Sequence, residues 1–258
     1  AIKLMGRLLL ELNDSCDLLL YGLYGGEKDN AIPRDCTANV IVDEEDLAIF
    51  EETVRNIEKI YKEEYGVSDS GVYIQLENLG EKEEFVINPI DFEKIIFLLT
   101  HTPDGIMHMS KNIEGLVETS LNIGMIHASE TELKLTSSVR SSVKTRKQAL
   151  SNKLQYLIEF LGGEYEVFGD YPEWAYKSDS ELRTIMIDAY EALYGDKPKV
   201  QAIHAGLECG ILLEKCPHLD AVSIGPNMYD IHTPKERLSI SSTKKTWDYL
   251  LEILKRIA

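Results

Sequence analysis

The sequence predicts an α+β layer, an antiparallel sheet with helices on one face, followed by a shorter α/β segment. Three observations lead there. Apolar residues recur at three- and four-residue intervals in stretches separated by short alternating or apolar runs. Residues 121–139 alternate, turn and alternate back, the pattern of an antiparallel hairpin with one wet face. After "GDYPEW" the alternation gives way to short, nearly uncharged apolar runs, as in buried strands of a parallel or mixed sheet.

The elements follow in order. Residues 1–12 place Ile2, Met5, Leu8, Leu9 and Leu12 on one helical face. Asp17–Leu23 is an apolar strand ending at Gly25-Gly26, and Thr37–Val42 is a second strand. Asp43 precedes a helix with Leu47, Phe50, Val54, Ile57 and Tyr61 at helical spacing, closed by Gly66. Val72, Ile74 and Leu76 alternate as a strand, and Phe92–Leu99 is a buried helix behind Pro89. Leu121, Ile123 and Met125 form the outgoing arm of the hairpin, with a turn near Ser129. Leu133, Leu135, Ser137 and Val139 form its return. A helix carrying Leu150, Leu154, Leu157, Ile158 and Leu161 ends at Gly162-Gly163, and Glu164–Phe168 is a further strand.

A domain boundary is expected near Asp170–Pro172, dividing 1–170 from 171–258. In the second segment Ser178 and Glu181 form a capping box for a helix that stops at Gly195. Val200–Ile203 and Ala221–Ile224 read as buried strands, and Trp247–Ile257 as a helix with Leu250, Leu251 and Leu254 on its apolar face.

Composition narrows the function classes. With 27 basic and 44 acidic residues the formal charge is −17. Such a field repels phosphate backbones, and no basic stripe interrupts it, which excludes a nucleic-acid binder. No apolar run reaches the ~20 residues that a membrane-spanning helix needs. Cys16, Cys36, Cys209 and Cys216 have no paired spacing, so the expectation is a reduced, cytoplasmic protein without a disulfide framework. The start, "AIKLMGRLLLEL", reads as a helix and not as a signal peptide; beginning inside a helix without Met, it suggests a piece of something longer.

The stretch "AIHAGLECGILLEKCPHLDAVSIGPNMYDIHTPKE" concentrates the candidate chemistry. His204 and Glu208 follow one expected strand and His232 follows the next, so both turns open on the rim where ligands of α/β sheets bind. Imidazole beside carboxylates is the donor set of a zinc site. A buried polar network would use the same residues.

Specific blocks extend this reading. "IHAGLECG", "DAVSIGPNMYDIHTPKERLSI", "NAIPRD", "VETSLNIG" and "DYPEW" resemble the aminoacyl-histidine dipeptidases, also called cytosolic non-specific or β-alanyl-histidine dipeptidases. That family belongs to the di-zinc exopeptidase clan of carnosinase, aminoacylase and the glutamate carboxypeptidases. The resemblance runs from residue 1 to 258 and implies an α+β lid domain followed by the C-terminal part of an α/β catalytic domain. It implies hydrolysis of short peptides, such as aminoacyl-histidine dipeptides, by water activated between two zinc ions, with manganese or cobalt as possible replacements.

The resemblance also implies what is missing. Family members are nearly twice this length, and their N-terminal part carries most of the zinc ligands and the general base. No catalytic residue is therefore expected in this chain, and alone it is expected to be inactive. His232 matches the family's last metal ligand. His204 and Glu208 match a turn lining the substrate pocket, with a structural bond to a neighbouring loop as the other role for His204. Asn30 in "NAIPR" and Arg140 in "SSVRSS" match lid positions that contact substrate; an Arg fork suits a free carboxylate. For Arg140 the other reading is a salt-bridged strand end. His101, His108, His127 and His218 match nothing catalytic and are expected to be solvated. A homodimer through the lid is implied, with Asn30 able to reach the partner's site. The rival reading is a non-catalytic binding or dimerisation module derived from the same family.

Overall fold

The computed structural model describes residues 1–129, 131–202, 208–231 and 233–257. The chain divides into two compact units. The first comprises Ala1–His108, Thr119–Val139 and Arg146–Glu166; the second comprises Met109–Glu118, Arg140–Thr145 and Val167–Ala258.

In the first unit, helices α1 (Ile2–Ser15), α2 (Leu47–Tyr65) and α3 (Pro89–His101) cover one face of a five-stranded sheet. Its strands are β1 (Leu18–Gly25), β2 (Cys36–Val42), β3 (Gly105–Met109), β4 (Val117–Ala128) and β5 (Leu133–Ser141), in the order β2-β1-β4-β3 with β5 also pairing β4. β1 runs antiparallel to both β2 and β4. The antiparallel sheet with its helical layer is the architecture the sequence predicts.

The core fills the space between helices and sheet. Ile2, Leu8, Leu9 and Leu12 of α1, the Phe50, Val54, Ile57 and Tyr61 stripe of α2, and Phe92, Ile95, Ile96 and Leu99 of α3 close over Leu18, Leu20, Leu23, Ile123 and Ile126. Strict alternation would turn Leu23 away from Leu18 and Leu20. An irregularity in the β1–β2 register between Leu20 and Gly22 adds one residue and returns Leu23 to the core face. Helix α1 lies close to α3 because position 6 is glycine: a Cβ there would overlap the Leu99 side chain. Asn88 caps α3, accepting from Asp91 N at 2.9 Å, and Pro89 begins it. Helix α4 (Lys144–Phe160) packs Leu150 and Leu154 on Leu121 of β4.

The second unit holds α5 (Glu181–Tyr194), α6 (Glu208–Lys215), α7 (Ile240–Ile257) and a small hairpin of β6 (Met228–Tyr229) and β7 (Arg237–Leu238). Its core is small: Met186 and Ala189 of α5 against Tyr249 and Ile253 of α7, with Tyr190 edge-on to Tyr249. The Tyr249 hydroxyl donates to Met186 O at 2.8 Å, so this buried phenol is satisfied.

Several expectations are corrected. Val72–Leu76 is not a strand. Val72 and Ile74 pack on the core, but the Ile74 N–H goes to the Glu58 side chain of α2, not to a neighbouring strand. Among the described residues Glu164–Phe168 pairs with no strand; Tyr165 joins the Leu121 cluster and bonds Ser151 at 2.9 Å, while Val167 and Phe168 are exposed. Val200–Ala202 and Ala221–Ile224 form no strand pairs either, since the described residues offer them no neighbouring strand. Ile203 lies outside the described residues. The cap of α5 is Ser180, not Ser178: its hydroxyl accepts from Arg183 N, and Asp220 takes the Leu182 N–H. Gly195 ends α5 at φ 80°, in the left-handed conformation glycine permits. Met125 points out and Ile126 in, because β4 changes phase at Gly124. In α7 the buried stripe is Tyr249 and Ile253, whereas Leu250, Leu251 and Leu254 face outward.

Candidate substrate-contact region

Asn30 stands in the β1–β2 connection, at the third position of a turn from Lys28 to Ala31 whose ends are joined by Ala31 N to Lys28 O at 3.4 Å. Its side chain is exposed and makes no hydrogen bond among the described residues. The turn is held against β4 from two sides. Asn122 Nδ2 donates to Asp29 O at 3.1 Å and to Ala31 O at 2.8 Å. Beside it, Gly124 and Gly26 allow backbone to approach backbone: a Cβ on Gly124 would meet Asp29 O, and one on Gly26 would meet Gly124 O. Gly26 also needs φ 73°, so both requirements select glycine there. Asn122 was not foreseen as a site residue, although it lies in the "VETSLNIG" block. A polar side chain in a strand that is otherwise mostly buried is the signal that could have found it.

Arg140 is half-buried near the end of β5. Glu208 is exposed at the first position of α6, where a carboxylate complements the helix N-terminus. Two positions further, Gly210 rests on the carbonyl of Pro172, where a Cβ would not fit. Gly210 therefore meets the "DYPEW" block in space, which explains the glycine by contact.

His204 and His232 lie outside the described residues. The described residues nearest position 232 in sequence form a bonded frame. Thr233 Oγ1 donates to Asp230 O at 2.7 Å, Glu236 N donates to Thr233 O at 3.0 Å, and Asp230 pairs with Arg237. Asp230 has φ 53°, an unusual value for a residue with a side chain. Among the described residues no three His, Cys, Asp or Glu side chains converge as a metal site. They do not by themselves fit a catalytic zinc, which needs about three protein ligands.

The remaining histidines are exposed, as expected. His101 stacks on Phe97 with ring centroids 4.1 Å apart, and His127 leans on Tyr24 at 5.9 Å. All four cysteines are free. Burial pushes the Cys36 thiol up to about 12, which makes it inert near neutrality. No helix among the described residues is long and apolar enough to cross a membrane.

Comparison with known proteins places these features. Residues 1–69 match the peptidase dimerisation domain. The whole chain aligns with the cytosol non-specific dipeptidase of Escherichia coli (strain K12) at 31% identity over 257 residues, 100% of this chain and 53% of the relative. The crystal structure of aminoacylhistidine dipeptidase from Vibrio alginolyticus superposes with a TM-score of 0.92 at 34% identity, covering 99% of this chain and 52% of that one. The chain thus spans about half the length of the relatives it matches. In sequence and in fold it corresponds to the C-terminal half of these dipeptidases, with the match to the peptidase dimerisation domain at its start.

Proposed function

We propose that this chain is the lid and the C-terminal catalytic segment of a metal-dependent dipeptidase that acts on short peptides, aminoacyl-histidine dipeptides among them. The observation that carries the reading is the match along the whole chain, in sequence and fold together, to two proteins named as dipeptidases. Residues 1–170 serve as the lid and dimerisation domain, and 171–258 complete an α/β catalytic domain whose larger part lies in the other half.

Each candidate residue has a role in that reading. Arg140 offers a planar fork for the free carboxylate of the substrate. Asn30 offers its amide to substrate from its pinned turn, and the lid pairs with that of a second copy so that this amide can reach the partner's site. His204 and Glu208 line the pocket. His232 supplies one ligand to a pair of zinc ions, for which manganese or cobalt could substitute, and the other ligands and the general base come from the N-terminal half. With most of the ligands and the general base in the other half, the chain alone is inactive in this reading. Localisation is cytoplasmic.

The uncovered apolar surface of the second unit supports a missing partner segment. Ile240, Trp247, Leu251 and Leu254 of α7 are exposed, Ile240 at 88% and Trp247 at 59%. An apolar row of this kind along one helix face is what a covering segment would bury. The test joins this chain to the N-terminal segment of the E. coli relative and assays hydrolysis of aminoacyl-histidine dipeptides. Activity restored by the joining supports the reading; a soluble, folded, inactive product favours the non-catalytic module instead.

A further inference from the structure

We propose that Asn122 is a positioning residue for substrate binding, acting through Asn30; this rests on the reading of Asn30 as a substrate contact. The geometry points to it directly. Asn122 spends both hydrogens of its side-chain amide on one turn, bonding the carbonyls on either side of Asn30 at 3.1 and 2.8 Å. The two residues are 92 positions apart, so the contact exists only through the fold. Asn30 itself is exposed and uses none of its hydrogen-bonding capacity on the described protein.

A surface turn of this kind, closed by one backbone bond of 3.4 Å, would ordinarily sample several conformations. A ligand that needs Asn30 in one of them would then bind more weakly by the fraction of time it is absent. The side chain of Asn122 removes that freedom before the ligand arrives. Gly26 and Gly124 bring β4 close enough for the amide to reach: a Cβ at either position would overlap opposing backbone and push the turn out of range. The clamp therefore has three parts, two glycines for approach and one amide for the hold. Aspartate at position 122 would keep the shape but lose both donors and set a negative charge against two carbonyl oxygens.

The experiment combines kinetics of the joined, complete protein with hydrogen exchange on the 258-residue chain. Asn122→Ala and Asn122→Asp should each raise KM for a dipeptide about tenfold with kcat within about twofold, because losing a pre-set binding group weakens uniform binding. Loss of folded protein would lower apparent kcat and leave KM alone. In an Asn30→Ala background, Asn122→Ala should change KM by less than about twofold, since a residue that acts only through Asn30 has nothing left to position. In the chain alone, Asn122→Ala should speed amide exchange in residues 28–31 while strands β1 and β2 keep their protection. Asn122→Ser, smaller and still a donor, should give intermediate values and serves if the alanine variant folds poorly. The proposal is overturned if Asn30→Ala raises KM but Asn122→Ala does not, if the two effects add in full, or if exchange at 28–31 is unchanged. Asn30→Ala without any effect on KM overturns the underlying reading as well, and accelerated exchange would then show a clamp that is structural only.

Discussion

Lys3 shows how one side chain can join two helices. Its ammonium donates to Leu99 O, Thr100 O and Thr102 O at 2.7, 2.9 and 2.8 Å, closing the carbonyl end of α3 from α1. Burial pulls its pKa below the ordinary lysine value, against the opposing pull of Asp104. Lys3→Met keeps the stem and removes the cap, and should cost about 2 kcal/mol. The check is a lower urea midpoint at unchanged slope. Asp220 acts similarly in the second unit, taking the Leu182 N–H at 3.0 Å and the Ser180 hydroxyl at 2.9 Å at the start of α5. Burial raises its pKa, but those two bonds, together with the Lys177 and Arg183 charges, hold it below the ordinary aspartate value. Its contribution is therefore present above the ordinary pKa, about 3.9, and disappears as pH falls through the lowered one. Asp220→Asn should be less stable than the parent at pH 7, and the difference should shrink in acid unfolding curves as pH falls below the ordinary aspartate range. Neither partner was legible in the sequence: in "SDSEL" the capping-box spacing points to Ser178 and not to Ser180, and only the fold brings Asp220 from 40 residues away.

Among the elements, the long helices were legible, while the short α6 and the isolated strands were not. A helix satisfies its own backbone, so periodicity in α2 and α3 was enough to locate both. A strand needs a partner, and the apolar runs around 72–76, 164–168 and 221–224 look alike in sequence whether or not one exists. The short strand β3 was missed for the same reason, since Gly105–Met109 has no clean alternation in burial. Helix α7 was found, but the wrong face was assigned to the core: Leu250, Leu251 and Leu254 form the stronger stripe, and it is the one left uncovered. Helices α1 and α3 approach closely at Gly6, where a Cβ would overlap Leu99. Gly6→Val should force the helices apart and cost about 1–3 kcal/mol. Combined with Leu99→Ala, which opens space at that point, the loss should be clearly less than the sum of the two single losses. Full additivity, measured by denaturant unfolding, would mean that the helices do not meet there.

At the scale of the whole molecule, the family blocks were legible from end to end while most of the site was not. Asn30, Arg140 and Glu208 have described positions and His204 and His232 do not, and the roles of all five rest on resemblance. The match of residues 1–69 to the peptidase dimerisation domain leads to a solution prediction: light scattering at micromolar concentration should give about twice 29.2 kDa. A clean monomer would contradict dimerisation by this chain. Whether the chain is half of a catalytic centre is tested most directly by metal content measured together with dipeptide hydrolysis, before and after joining to the N-terminal half. Dialysed alone, the chain should hold less than about one zinc per molecule and hydrolyse nothing, since a site short of ligands binds weakly. Joined, it should hold two zincs and hydrolyse the dipeptide, and His232→Ala should remove the activity. Two tightly held zincs or steady hydrolysis by the 258 residues alone would contradict the account.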